Sequence, residues 1–182
     1  NIEVMATMAD CLTRLGVRDK AVLMMEHAIV HSEGEFSTRQ AITMGNLARD
    51  LDMWDASREF YGMAIEMSPE LDELYVSYAD TFMRTEKFDE AIEFLQMALT
   101  KFPQGSGLWN VLAISVAHRD GGQAARVFFE EAIRVDPKNL NALHNIAIHC
   151  EDINEAIEFE RQVLKISPDH VEAKMGLASY LK

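Results

Sequence analysis

Cysteine, basic side chains and long apolar runs are all scarce in this sequence. Only two of the 182 residues are cysteines, Cys11 and Cys150, which is too few for a disulfide scaffold and favours a reducing compartment. Seventeen basic side chains stand against 30 acidic ones, and the net charge of −13 opposes binding to nucleic acid and to anionic lipid headgroups. No apolar run approaches the roughly 18–20 residues that a membrane-spanning helix needs. We therefore expect a cytoplasmic protein whose partners are neutral or basic.

The composition excludes several other classes. At 48% hydrophobic residues the chain has too much apolar material for an acidic disordered segment, and its 182 residues suffice for one domain with a sizeable core. Nine glycines and four prolines exclude a collagen-like or low-complexity chain. Because the sequence begins with Asn1 rather than with methionine, we expect it to be a processed product or a fragment, and removal of a signal peptide stays an alternative.

The four prolines recur with a nearly constant spacing. Pro69, Pro103 and Pro137 lie 34 residues apart, and Pro168 follows after 31. Small residues recur at three other phases of the same period: Ala28, Ala64, Ala98 and Ala132; Ala21, Ser57, Ala91, Ala125 and Ala156; and Gly45, Ala79 and Ala113. A fixed period with small residues at fixed phases predicts stacked repeats whose backbones approach closely.

Each repeat divides into two helices. In the fourth repeat, the first helix has the i, i+3, i+4, i+7 spacing of one apolar helix face in Trp109, Leu112, Ala113 and Val116, and the second helix carries Ala125, Phe129 and Ala132. Turn residues separate the helices at Gly16, Asp52 and Asp120 to Gly122. Polar residues suited to capping follow the turns or precede the next repeat: Asp19, Asp55, Asp89, Asn154, Thr38, Asp72 and Ser106.

These positions resemble the tetratricopeptide repeat family over nearly the whole chain. The family places a bulky residue, leucine, a small residue and an aromatic on the first helix, and alanine, an aromatic, alanine and proline on the second. The resemblance implies an all-α, right-handed superhelical solenoid of helix-turn-helix repeats. We predict one domain over residues 1–182, with repeats at 2–37, 38–71, 72–105, 106–139 and 140–170 and a final helix at 171–182.

Two charged residues break the repeat pattern near the end of the chain. Glu160 occupies the aromatic position of its helix, and Lys174 occupies a position that is normally bulky and apolar. A buried charge without a partner is costly, and in a repeat array only adjacent repeats touch. We therefore predict that Glu160 and Lys174 lie close enough to interact.

The sequence contains no constellation that indicates catalysis. Gly105-Ser106-Gly107 follows a helix-ending proline and not a strand, so it fits a connection better than a phosphate-binding loop. The sharpest metal candidate is His27 with His31, one helical turn apart, but no third ligand is evident and a structural reading is favoured. We predict no catalytic residue, no cofactor, no metal and no enzymatic activity. Cys11 and Cys150 are interpreted as small apolar core residues.

The resemblance implies that the first helices line a concave groove. Opposite the core face of the third to fifth repeats lies an apolar strip with polar side chains around it, which we predict to be the partner-binding groove: Val76, Asp80, Asn110, Val111, Ile114, His118, His144, Asn145 and Ile148. Such a strip suits an extended peptide or an amphipathic helix. The alternative is that tight curvature covers these side chains by mutual contact.

The sequence therefore predicts a non-catalytic scaffold that binds a partner peptide or helix in its groove. The alternative is that the chain is the substrate-recruiting region of a larger enzyme. The resemblance allows this because glycosyltransferases and sulfotransferases are known to carry such repeats. Met175 and Tyr180 add apolar surface to the last helix, so we expect the chain to be a segment of a longer solenoid or to carry a partner at its end. Self-association through the terminal helices is a further expectation.

The phasing of the small residues can be tested at Ala98. Substitution A98W should destabilise the protein by about 1–3 kcal/mol or more, because a position between two close backbones cannot accept the added volume. Thermal unfolding measures the effect. An unchanged melting temperature would show that the position is not between helices.

Overall fold

The computed structural model describes residues 2–31 and 36–181, and most of these residues are in helices. No strand occurs in the described ranges, which confirms the all-α class. Eleven helices are described: α1 (Ile2–Arg14), α2 (Arg18–His31), α3 (Thr38–Asp50), α4 (Trp54–Met67), α5 (Asp72–Arg84), α6 (Phe88–Lys101), α7 (Ser106–Asp120), α8 (Gly122–Val135), α9 (Leu140–Ile148), α10 (Ile153–Ile166) and α11 (Val171–Tyr180).

The chain forms two compact units, which we call unit 1 (Asn1–Thr85) and unit 2 (Glu86–Lys182). Unit 1 holds α1 to α5 and unit 2 holds α6 to α11. Within unit 1, α1 contacts α2 and α3, and α4 contacts α3 and α5. Within unit 2 each helix contacts the next, and α9 also contacts α7 and α11. The single domain with five repeats stays a prediction.

Small residues occupy the closest approaches between helices. Ala91, Ala98, Ala125 and Ala132 are all fully buried. Ser57 takes the same phase as Ala91 and Ala125, and its hydroxyl donates to the carbonyl of Gly45 at 2.9 Å, so the polar atom is satisfied inside the core. A Cβ on Gly45 would lie 2.9 Å from the Tyr61 ring, which explains why this position has no side chain.

The predicted turns are present, but the caps differ from the prediction. Gly16, Asp52 and Gly121 have positive φ angles of 73°, 55° and 95°, as tight reversals between helices require. Asp55 and Asp89 lie in the first turn of their helices instead of at the cap, where their charge still favours the helix dipole. Side-chain caps come instead from Ser37, Asn139, Asp152 and His170.

Ion pairs join residues that lie about one repeat apart in the chain. In unit 1, Arg18 contacts Asp52 at 3.0 Å; in unit 2, Arg119 contacts Asp89 at 2.7 Å. Arg126 binds both carboxylate oxygens of Glu155, and this hydrogen bonding lowers the pKa of Glu155 to about 2. These pairs are largely exposed, so they fix orientation more than they stabilise the fold.

The structure also bears on the predictions for the cysteines, for Trp109 and for membrane-spanning helices. Cys11 is exposed on α1, so its interpretation as a core residue is wrong, whereas Cys150 is partly buried. Trp109 is also only partly buried, and its indole N–H donates to the carbonyl of Pro103 at 3.0 Å. Among the described helices, none is long and apolar enough to cross a membrane.

Gly122 offers a test of the close approach between α8 and the end of α9. A Cβ at this position would collide with the backbone carbonyl of His149, which cannot rotate away. We expect G122A to lower stability by about 1–3 kcal/mol or more, measured by thermal unfolding.

The matched control is G62A, because the nearest atom to its new Cβ is a Tyr78 ring carbon at 3.5 Å. Alanine is also the better helix former by up to about 1 kcal/mol, so G62A should be neutral or stabilising. Equal effects of the two substitutions would contradict the packing described here.

Candidate functional site

Helix α7 is covered on most of its circumference and leaves one narrow strip open. Val111 and Ile114 are partly buried and His118 is exposed, one helical turn apart from one another. Leu112 and Val116, on the opposite side, are buried in the core of unit 2. The strip is apolar although folding does not bury it completely.

Helix α9 presents a similar strip next to it. Ile148 is 51% exposed, and His144 and Asn145 are partly buried on either side of it. Because α7 and α9 contact each other, the two strips belong to one surface of unit 2. We call this surface the first-helix face and define it by Val111, Ile114, His118, His144, Asn145 and Ile148.

Asn110 lies beneath this face and not on it. Its side chain is buried, and its Oδ1 accepts a hydrogen bond from Asn145 Nδ2 at 3.1 Å. The sequence placed Asn110 on the open groove because it is on the polar side of the helical wheel, and α9 covers it. We assign Asn110 to holding α9 against α7.

Aromatic rings border the first-helix face at His118. Phe88 stacks on His118 with ring centres 5.2 Å apart, and His149 meets His118 edge-on at 6.2 Å. Phe129 in turn stacks on His149, with ring centres 5.7 Å apart. Burial, followed by the nearby His118, lowers the pKa of His149. This arrangement fixes the His118 ring at one end of the strip.

Glu160 does not pair with Lys174, and that prediction is wrong. The fully buried Glu160 carboxylate contacts His144 Nδ1 at 2.9 and 3.1 Å through its two oxygens. Lys174 is half exposed and contacts Asp169 at 3.3 Å. A histidine in the helix that packs against α10 therefore supplies the partner that a buried carboxylate requires.

Helix α11 closes over this buried pair. Gly176 lies directly against the Glu160 carboxylate, where an added Cβ would collide with Oε1. The Tyr180 hydroxyl donates to the carbonyl of Ala147 at 3.2 Å, and burial followed by the Glu160 charge raises the pKa of Tyr180. Sequence reasoning identified Glu160 as exceptional but had no signal for its partner.

Val76 and Asp80 of the predicted groove lie on α5 in unit 1. Both are partly buried, and Asp80 contacts Arg84 on the same helix at 3.6 Å. The remaining predicted residues lie on α7 and α9 in unit 2. The two sets are therefore described separately.

Unit 1 also contains a polar cleft that the sequence analysis did not identify. It lies between α1 and α3 with a volume of about 300 Å³. Arg14 contacts Asp10 at 3.0 Å and Arg49 contacts Asp50 at 3.3 Å, so the charges on its walls balance. The Tyr61 hydroxyl donates to Asn46 at 2.6 Å beside them.

The structure offers no metal-binding cluster in the residues it describes. Within them, no three His, Cys, Asp or Glu side chains come close enough together to hold an ion. The candidate pair His27 and His31 is described only in part, because the side chain of His31 lies outside the described residues.

Removing the partner of Glu160 tests the importance of the buried pair. H144A should cost about 3–5 kcal/mol, because it leaves a carboxylate buried without a partner. Chemical denaturation followed by circular dichroism measures the change. H27A, at an exposed position of α2, should change stability by less than about 0.5 kcal/mol. A result below about 1 kcal/mol for H144A would mean that Glu160 is solvated.

We compared the sequence with protein-family models and with characterised proteins. The tetratricopeptide repeat family model matches residues 72–100. The BBSome complex member BBS4 homolog of Drosophila melanogaster is 24% identical over 163 residues, covering 86% of this chain and 33% of its own length. Human protein O-mannosyl-transferase TMTC3 is 26% identical over 142 residues, covering 77% of this chain and 14% of its own length. The chain thus spans about a third or less of these relatives.

A solved structure matches over the whole chain. TTC0263, a thermophilic tetratricopeptide protein of Thermus thermophilus, has a TM-score of 0.74 at 14% identity and covers 100% of this chain and 99% of its own. Likeness at that identity shows the fold, and the family match at 72–100 coincides with α5 and most of α6. The chain therefore has the fold of tetratricopeptide repeat proteins and matches the family model over one helix pair.

Proposed function

We propose that this chain is a non-catalytic interaction scaffold that binds a peptide or helix of another protein on the first-helix face. The observation that carries the proposal is the apolar strip of Val111, Ile114 and Ile148. Their side chains face away from the core of unit 2, and Ile148 is half exposed. The fold and the family are also those of an interaction protein: the Drosophila relative is by name a member of a complex.

The polar groups around the strip would orient a bound segment. The Nε2 atom of His144 remains for a partner, because Nδ1 is engaged by Glu160. The Asn145 side chain donates to Asn110 and keeps its carbonyl oxygen to accept from a backbone N–H. Burying the three aliphatic side chains supplies about 25 cal/mol per Å² of apolar surface, and the polar groups supply direction.

The charge of the chain restricts the partner. A net charge of −13 disfavours acidic proteins, nucleic acid and anionic lipid surfaces, and favours neutral or basic segments. We also propose that the protein is cytoplasmic and that it binds such partners without inserting into a membrane. Val76 and Asp80 on α5 are proposed to contribute a separate contact from unit 1.

A second candidate function is recruitment of substrate to a larger enzyme. The human relative is by name an O-mannosyl-transferase, of which this chain corresponds to 14% of the length. An activity assay separates the two functions. If an enzyme that contains this chain turns over a protein substrate more slowly when the first-helix face is altered, the recruiting role is correct.

Self-association through the terminal helices is favoured by one observation in each unit. On α1, Val4 and Met8 are exposed, and Leu15 is exposed directly after the helix; on α11, Val171 and Met175 are exposed, and Leu181 is exposed directly after the helix. Apolar stripes of this kind mark association surfaces. Sedimentation of the chain over a range of concentrations tests this, and V4E with M8E should abolish any dimer.

Replacing an aliphatic side chain of the strip by a carboxylate tests the main proposal. I148E should weaken partner binding by more than about ten-fold, because an unpaired charge would face an apolar surface, and leave the melting temperature nearly unchanged because Ile148 is half exposed. I114E should weaken binding as strongly and also lower stability, since Ile114 is partly buried. Calorimetry with a partner captured by the intact chain measures both.

Glu93 provides the control, because it is exposed on α6, outside the first-helix face. E93Q should bind as the unaltered chain does. If I148E folds normally and binds with unchanged affinity, the partner site lies elsewhere and the proposal fails.

A further inference from the structure

The start of α11 is held by a histidine that must be unprotonated at one nitrogen. His170 is the residue before α11, and its Nδ1 accepts a hydrogen bond from the backbone N–H of Ala173 at 3.2 Å. An accepting ring nitrogen carries a lone pair and no proton. Protonating Nδ1 converts the acceptor into a donor, so the cap is lost and a cation is placed at the positive end of the helix dipole.

A second histidine lies beside His170 and is held in place by a carboxylate. The ring of His144 lies 5.7 Å from that of His170, and its Nδ1 contacts both oxygens of Glu160. Since the carboxylate accepts, Nδ1 of His144 donates, and this bond fixes the His144 ring beside that of His170.

The other charged groups around His170 oppose this effect only weakly. Glu172 on α11 lies 3.4 Å from His170 Nδ1, but its side chain is 67% exposed, so its attraction for a protonated ring is screened by water. In the preceding turn Asp169 contacts Lys174 of α11. From α10 the carboxylate of Glu160 is already engaged by His144, and Tyr180 of α11 stays neutral because burial raises its pKa.

We propose that acidification releases α11 from α9 and α10, with His170 as the titrating group. Apart from this cap, α11 is held by the buried Ala173, by the partly buried Gly176, Leu177 and Tyr180, and by the Tyr180 hydrogen bond to Ala147, while Val171 and Met175 face solvent. Histidine is the side chain that changes charge between about pH 5 and 8. The response goes beyond the proposed binding function and needs no partner to be observed.

Hydrogen exchange of the intact chain tests the release directly. Exchange in peptides of α11 is measured at about pH 7.5 and 5.5, on either side of the ordinary histidine pKa. Correcting each rate for the intrinsic chemical rate of exchange gives the opening equilibrium of α11 at each pH. We expect opening of α11 to rise about ten-fold on acidification, as the loss of one helix cap would produce. Opening of α3 and α4 in unit 1, which contain no histidine, should not change in the same way.

H170N separates titration from capping, because asparagine caps as well as histidine and does not titrate. Its α11 should open equally at both pH values, and H170S should behave likewise if H170N folds poorly. H27N, which alters a histidine of unit 1, should retain the full response. Imidazole resonances should show His170 protonating over the pH range in which α11 opens. A response preserved in H170N and H170S, or none in the unaltered chain, overturns the proposal.

Discussion

The close approach of paired helices at small residues is the constraint on which the rest of this structure depends. Ala125 and Ala132 on α8 are completely buried, and Ser57 fits the same phase only because the Gly45 carbonyl accepts its hydroxyl proton. Alanine at these positions brings two backbones together and leaves the larger side chains to fill the spaces on either side. This contact determines which side of each first helix faces its partner helix. It therefore also determines which strip of α7 remains uncovered.

A polar pair replaces this apolar packing between α9 and α10. Glu160 stands where an aromatic would be expected, and His144 and Gly176 from the two adjoining helices accommodate its carboxylate. A well-packed apolar side chain would stabilise such a site equally or better, so the pair is not explained by stability alone. It connects the outer first-helix face, through the His144 ring, with the docking of α11. The proposed binding face and the docking of the last helix therefore share one side chain.

The sequence predicts the helices and much of the uncovered face because both depend on local periodicity. The 34-residue proline spacing and the i, i+3, i+4, i+7 set around Leu112 and Ala113 determine which helices form and which sides they bury. Contacts between helices are not encoded in this way. Asn110 is buried because α9 lies over it, and Glu160 pairs with His144 because α10 packs against α9. The helix caps were also predicted at the wrong residues, because Asp55 and Asp89 lie in the first turn of their helices.

The central claim is that partners bind the uncovered faces of α7 and α9. A hydrogen-exchange footprint of the complex between the intact chain and a captured partner tests it most directly. We expect added protection in α7 around Val111 to His118 and in α9 around His144 to Ile148, with little change in α8 or α10. Protection confined to α8 and α10, with α7 and α9 exchanging as in the free chain, would contradict it.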